Sequence, residues 1–227
     1  MKETVKILII FLISFSAHCQ EKQITIPTYT NGDTAYYFKY TSMLCKKLKF
    51  TDLTQSTTEF YFRLWNPGLA TDIWKDKDSN IKGEITNFYE AEGEKIWGKI
   101  YSNKIQIDSI DAKKTYEFIL KSMIDTLPTE DDIEGWSGGL DGELYIIEFS
   151  TPNKYSFKSY WSPTAQGKLK EALIVEKFMQ NFNKMLNLLD ISFRFYYSIP
   201  DDYFQQCLLK ERNKQKKKYE KKMNSKK

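Results

Sequence analysis

The stretch that decides the fold is GLDGELYIIEF, residues 139–149. Beyond Gly142 the residues alternate, so Leu144, Ile146 and Glu148 face one way and Tyr145, Ile147 and Phe149 the other. That period of two is the mark of a β-strand. TPNK (151–154) turns the chain, and YSFKSYW returns with Tyr155, Phe157, Ser159 and Trp161 on one face, until Ser162-Pro163 ends the strand. The segment is therefore predicted to be a β-hairpin. Gly139 and Gly142 flank Asp141 and are expected to bend the chain into it, since glycine takes positive φ without steric cost.

Upstream, TEFYFRLWNPG reads as a strand in which Phe60, Phe62 and Leu64 alternate with Tyr61 and Arg63, stopped by Asn66-Pro67-Gly68. DIWKDKDSNIKGEITNFYE reads as two strands around a polar cluster at 75–80, and EKIWGKIYSNKIQID continues them, with Ser102-Asn103 as a tight turn. Residues 58–108 are thus expected to form an antiparallel meander. The period then lengthens to about 3.6 residues. Ala112, Tyr116, Ile119 and Met123 line a helix over 110–126, with Asp108, Ser109 and Asp111 at its start, where free N–H groups need acceptors. A second amphipathic helix is expected over 167–190, through Ala172, Val175, Met179, Phe182, Leu186 and Leu189. ISFRFYYSIP is read as a last strand, DDYFQQCLLK as a short helix, and YYFKYTSMLCKKLKF as either strand or helix. The expected architecture is a single α+β domain over residues 20–209. It consists of an antiparallel sheet, meander plus C-terminal hairpin, packed against two main amphipathic helices.

The ends of the chain differ from this body. Residues 20–35 look like a weakly ordered lead-in with a turn at Asn31-Gly32. The apolar run Ile7–Ala17 is too short for a membrane span of about 20 residues and reads as the core of a secretory signal peptide over 1–19, cut before Gln20. Acylation of Cys19 is the alternative, although His18 stands where a small residue is expected. The reading implies export across the inner membrane of a Gram-negative bacterium, to the periplasm or beyond. It also removes the one histidine of the chain, and with it Ser-His-Asp chemistry and His-ligated zinc. Two cysteines remain, Cys45 and Cys207. In an oxidising compartment they are expected to form a disulfide, with two buried free thiols as the alternative. Residues 210–227 hold ten Lys/Arg and two Glu, a net +8. The whole chain is +4 and residues 1–19 carry +1, so residues 20–209 carry −5. The basic tail is expected to be disordered or a frayed helix, suited to solubility or to an anionic membrane surface. Nucleic acid is not an expected partner of an acidic, exported body.

Residues 110 to about 175 resemble a group of uncharacterised secreted or lipid-anchored bacterial proteins. The residues that carry the likeness are Leu140, Asp141, Gly142, Tyr145, Ile147, Glu148, Tyr155, Trp161 and Pro163, with EFYFRLW similar to the family's opening strand. The family often has Trp where this chain has Tyr145, and an aromatic–His pair where it has Ser156-Phe157. The resemblance implies the hairpin and its setting, and no activity.

Among the chemically capable groups, Asp141 with Glu143 or Glu148 would make an acid pair for hydrolysis of envelope glycan, at carboxylate separations of about 5–9.5 Å. Glu143 and Glu148 lie on opposite faces of the strand, which argues against that pairing. DKDSNIKGE (76–84) imitates the start of a calcium loop, but Ile81 stands where a glycine is required and Asn87 where a bidentate Glu is required. A hairpin tip with solvated acids is the reading, and neither metal nor cofactor is implied. Trp136, in a Gly- and acid-rich loop, is expected to be exposed, and with Asp141, Tyr145 and Trp161 it forms the candidate binding surface. The function favoured is a non-enzymatic binding or interaction module of the cell envelope, its partner an envelope protein or glycan.

Overall fold

The computed structural model describes residues 21–28, 32, 34–92, 96–139 and 141–224, with side chains to residue 221. The signal-peptide reading, His18 and Cys19, Asn31 of the expected turn, and Leu140 all lie outside the described residues.

The fold is α+β, as the sequence reading requires. The strands are β1 (Gln23–Thr25), β2 (Tyr61–Asn66), β3 (Leu69–Lys75), β4 (Ile81–Glu90), β5 (Ile100–Ile107), β6 (Leu144–Ser150) and β7 (Lys154–Trp161). They form one sheet in the order β1-β7-β6-β2-β3-β4-β5, antiparallel except where β1 joins β7. The helices are α1 (Tyr36–Leu48), α2 (Ser109–Ser122), α3 (Lys170–Met185), α4 (Leu188–Ser198) and α5 (Gln206–Asn224).

Strand alternation sorts the core into two layers. On one face Tyr61, Trp65, Ile146, Tyr155 and Phe157 pack with Leu44 and Leu48 of α1. On the other, Phe62, Leu64, Ile73, Ile85 and Ile147 pack with Ile119 of α2 and with Val175, Phe178 and Phe182 of α3. Each such side chain removed from water contributes roughly 1.5–3 kcal/mol. Helices thus cover both faces of the sheet. The β2–β3 turn is Pro67-Gly68, with Gly68 at φ +71°, a position that favours glycine. Asp108 caps α2 by accepting from the Ile110 and Asp111 amides.

Four expectations require correction. ISFRFYYSIP is not a strand: residues 188–198 form α4. Its aromatics suit strands, but Leu188, Ile191, Phe195 and Ile199 recur at helical spacing; Leu188 and Ile191 join the main core, and Phe195 and Ile199 pack with Tyr89 and Tyr101 at the sheet's far edge. Packing overrides propensity there. Ser102-Asn103 is no turn, because β5 runs through it, with Asn103 opposite Asn87 and their side-chain amides hydrogen-bonded at 2.9 Å. Within the lead-in, residues 21–28 are held by the sheet. β1 adds to the sheet, and Lys22 donates to the Leu53 and Ser56 carbonyls and to Ser150 Oγ. The basic tail, to Asn224, is the continuous helix α5.

Candidate functional site

The hairpin that decides the fold also builds the most highly charged part of the interior. Register puts Arg63 of β2 directly between Asp72 on β3 and Glu148 on β6, and Phe157 beyond Glu148 on β7. Arg63 is wholly buried, and Asp72 and Glu148 are only 6% and 5% exposed. The guanidinium grips Asp72 with two bonds, Nε to Oδ1 at 2.6 Å and Nη2 to Oδ2 at 3.0 Å. Its Nη1 donates to the Thr51 carbonyl at 3.2 Å and to Cys45 Sγ at 3.4 Å, and stands 3.9 Å from Glu148 Oε1. The Phe50 ring covers it at 4.6 Å. Burial works against this charge, but Asp72 and then Glu148 hold its pKa well above the ordinary arginine value.

Glu148 has its own donors. Trp65 Nε1 reaches Oε1 at 2.6 Å and Tyr155 OH reaches Oε2 at 2.6 Å. Burial, followed by the Glu148 charge, raises the Tyr155 phenol, so it stays a donor. The row therefore holds two acidic side chains, Asp72 and Glu148, and one basic side chain, Arg63. Above it opens a cleft of about 290 Å³ beneath α1, lined by Phe38, Thr41, Cys45 and Lys46 of the helix, with Asp52 in the following loop and Glu148 and Tyr155 among the sheet residues. Burial pushes the Cys45 thiol up to about 12, with Arg63 only partly offsetting it, so the sulfur facing the cleft is neutral rather than a thiolate nucleophile.

The candidate residues from the sequence divide differently. Asp141 is exposed on its loop. Glu143, also exposed, accepts from Tyr145 OH on its own face of β6. Glu148 is buried within the sheet on the face opposite Glu143, whereas Asp141 and Glu143 are both exposed ahead of β6.

Trp136 is not exposed as expected but half-buried. Its Nε1 donates to the Trp161 carbonyl at 3.1 Å, and its ring lies 5.8 Å from that of Tyr160. Gln166 ties the same loop down, receiving the Ser137 amide and donating to the Ser137, Trp161 and Ser162 carbonyls. Thr129 and Glu130 take the outward amides of Ser159 and Trp161. The 128–139 segment is therefore a cover for the outer edge of β7, a strand edge otherwise open to pairing with another chain.

The two glycines answer to Trp161. The chain bends at 141–142 as expected, but neither glycine is among the positive-φ glycines; a methyl group at Gly139 or Gly142 would overlap the Trp161 ring, and at Gly142 Ser162 Oγ as well. The hairpin motif thus resolves into two contacts: Glu148 with Tyr155, and the glycines with Trp161.

The disulfide expectation also fails. Cys45 and Cys207 are both free, the first facing Arg63 and the second exposed on α5. The structural reason is that Cys45 is turned into the sheet-facing side of α1, against the guanidinium. Asp76, in the calcium-like stretch, spends its carboxylate on the Asp78 and Asn80 amides at 2.9 and 2.8 Å. Among the described residues no group of three or more His, Cys, Asp or Glu is placed to hold a metal.

No family model, curated protein or solved structure matches the chain.

Arg63 and Asp72 are not singled out by the sequence as site residues, and Cys45 only as a disulfide candidate. One signal was available: a two-residue turn at 67–68 forces Arg63 opposite Asp72. Lys158 was also missed. Only 8% exposed, it borders a second cleft of about 380 Å³ between β1 and residues 125–132. Its ammonium donates to the Asp125 carbonyl, and burial lowers its pKa to about 8.

Proposed function

We propose that this protein is a non-enzymatic binding module of the cell envelope that takes a small, positively charged ligand in the cleft beneath α1. The observation that carries the reading is Glu148 at the cleft floor. Its carboxyl group belongs to a buried row of two acidic side chains and one basic side chain. A ligand's ammonium or guanidinium would supply a second basic group, while Phe38 and the stem of α1 cover its apolar part. A volume of about 290 Å³ suits a molecule of amino-acid or short-amine size, at the low end of the roughly 300–1,000 Å³ common for ligand sites. The separated carboxylates and the neutral thiol favour binding over turnover. Export follows from the sequence reading alone and is part of the same proposal.

The test is calorimetric titration with a panel of small amines, arginine and lysine among them, against neutral and anionic analogues. Cationic members are expected to bind, and Glu148→Gln to weaken them at least tenfold. Equal binding of neutral analogues, or an unchanged Glu148→Gln variant, would contradict the reading.

A further inference from the structure

The basic C-terminal helix is held in one rotational setting by two anchors. Arg212, 2% exposed, sends its guanidinium into the end of α4, donating to the carbonyls of Tyr196 at 3.2 Å, Tyr197 at 3.4 Å and Ile199 at 2.5 Å, and to Asp201 at 2.7 Å. The Phe204 ring lies beneath it at 4.4 Å. Two turns later, Tyr219 donates to Asp190 at 3.0 Å and packs its ring 5.2 Å from that of Tyr197. With Leu209 and Lys216, these residues are the less exposed side of α5.

At about 100° per residue, Lys210, Lys214, Lys217 and Lys221 fall together on the opposite side, within a band of roughly 60°. All four are exposed. They form a straight row roughly 16 Å long, at 1.5 Å per residue. Over 206–224 the helix has eight Lys/Arg and two Glu, while residues 20–209 carry −5. The molecule is thus polarised, with its positive row turned away from the acidic body.

We propose that α5 docks the protein onto an anionic lipid surface through Lys210, Lys214, Lys217 and Lys221. The row is a line of single hydrated charges, which suits laterally mobile headgroups. Nucleic acid also takes lysine on its phosphates, but reading or stacking its bases draws on guanidinium forks and aromatic rings as well. The one Arg and the one Tyr of α5 are both turned inward. This inference is independent of the cleft and its ligand.

The experiment is sedimentation of the full chain with phosphatidylcholine vesicles, with and without one-third phosphatidylglycerol. Binding is expected only to the anionic vesicles, and is lost in high salt. Each lysine near such a surface is worth about fivefold in affinity, so replacing the four by Gln is expected to weaken binding at least a hundredfold. Replacing Lys39, Lys77, Lys113 and Lys168, exposed lysines elsewhere, is the control and is expected to change it little. Circular dichroism on both variants confirms that the fold is kept. Equal loss in both variants, or no loss in the first, would overturn the proposal. So would duplex DNA binding more tightly than the vesicles and displacing them, which would assign the row to nucleic acid.

Discussion

Arg63 and Asp72 face each other across the β2–β3 hairpin, joined by two hydrogen bonds of 2.6 and 3.0 Å in a buried site. A buried ion pair costs much to desolvate, and its removal is costly when only one partner goes. Arg63→Leu leaves Asp72 and Glu148 as two buried carboxylates with no cation between them. Unfolding in urea is expected to show a loss of about 3–5 kcal/mol. Arg63→Lys keeps the charge but not the fork, and is expected to lose less.

Gly142 is predicted to be intolerant of a side chain because of Trp161, not because of its backbone. Gly142→Ala is expected to destabilise by about 1–3 kcal/mol, the usual cost of overpacking. In a Trp161→Ala background the same change is expected to cost at least about 1 kcal/mol less, which a double-mutant cycle reads directly.

Lys158 gives the stability a specific pH dependence. Its folded pKa, about 8, is below the unfolded value of about 10.4, so between these the unfolded chain binds more protons. Stability from this group therefore rises as pH goes from 8 to 10 and is lowest below 8. The difference in unfolding free energy between the wild type and Lys158→Met is expected to move in the wild type's favour over that window, by at most about 3 kcal/mol. A difference curve that is flat, or that falls, contradicts this.

Arg212→Ala removes the group that satisfies the last carbonyls of α4. The anchor of α5 is expected to loosen, seen as faster amide exchange and proteolysis over 206–224 while the sheet remains protected. Limited proteolysis with mass mapping makes the comparison.

Much of this fold is legible in the sequence because period-two and period-3.6 patterns are local. β6, β7, α2 and α3 follow from such patterns, as does the Pro67-Gly68 turn. Residues 188–198 mislead because five aromatic or β-branched side chains between Ile191 and Tyr197 suit either state, and only what they pack against chooses. Ser102-Asn103 misleads because turn residues are also compatible with a strand when a side-chain amide across from them, here Asn87, completes the pairing. The site was half legible. Arg63 opposite Asp72 follows from the turn, since a two-residue loop fixes the register. Placing Glu148 on the other side of Arg63 requires the pairing of β2 with β6, over eighty residues apart, which no local pattern specifies. Cys45 and Trp136 were misjudged because exposure and pairing are set by what packs over them.

The most direct test of the account uses Cys45 as a reporter from inside the cleft, with exposed Cys207 as internal reference. Alkylation by a small neutral thiol reagent is followed at each cysteine by mass spectrometry. The account predicts that Cys45 reacts much more slowly than Cys207. It also predicts that a saturating cationic amine slows Cys45 further without touching Cys207, and that Glu148→Gln abolishes this protection. Cys45 reacting at the same rate with and without every amine tested would contradict the claim that the Glu148 cleft is a binding site.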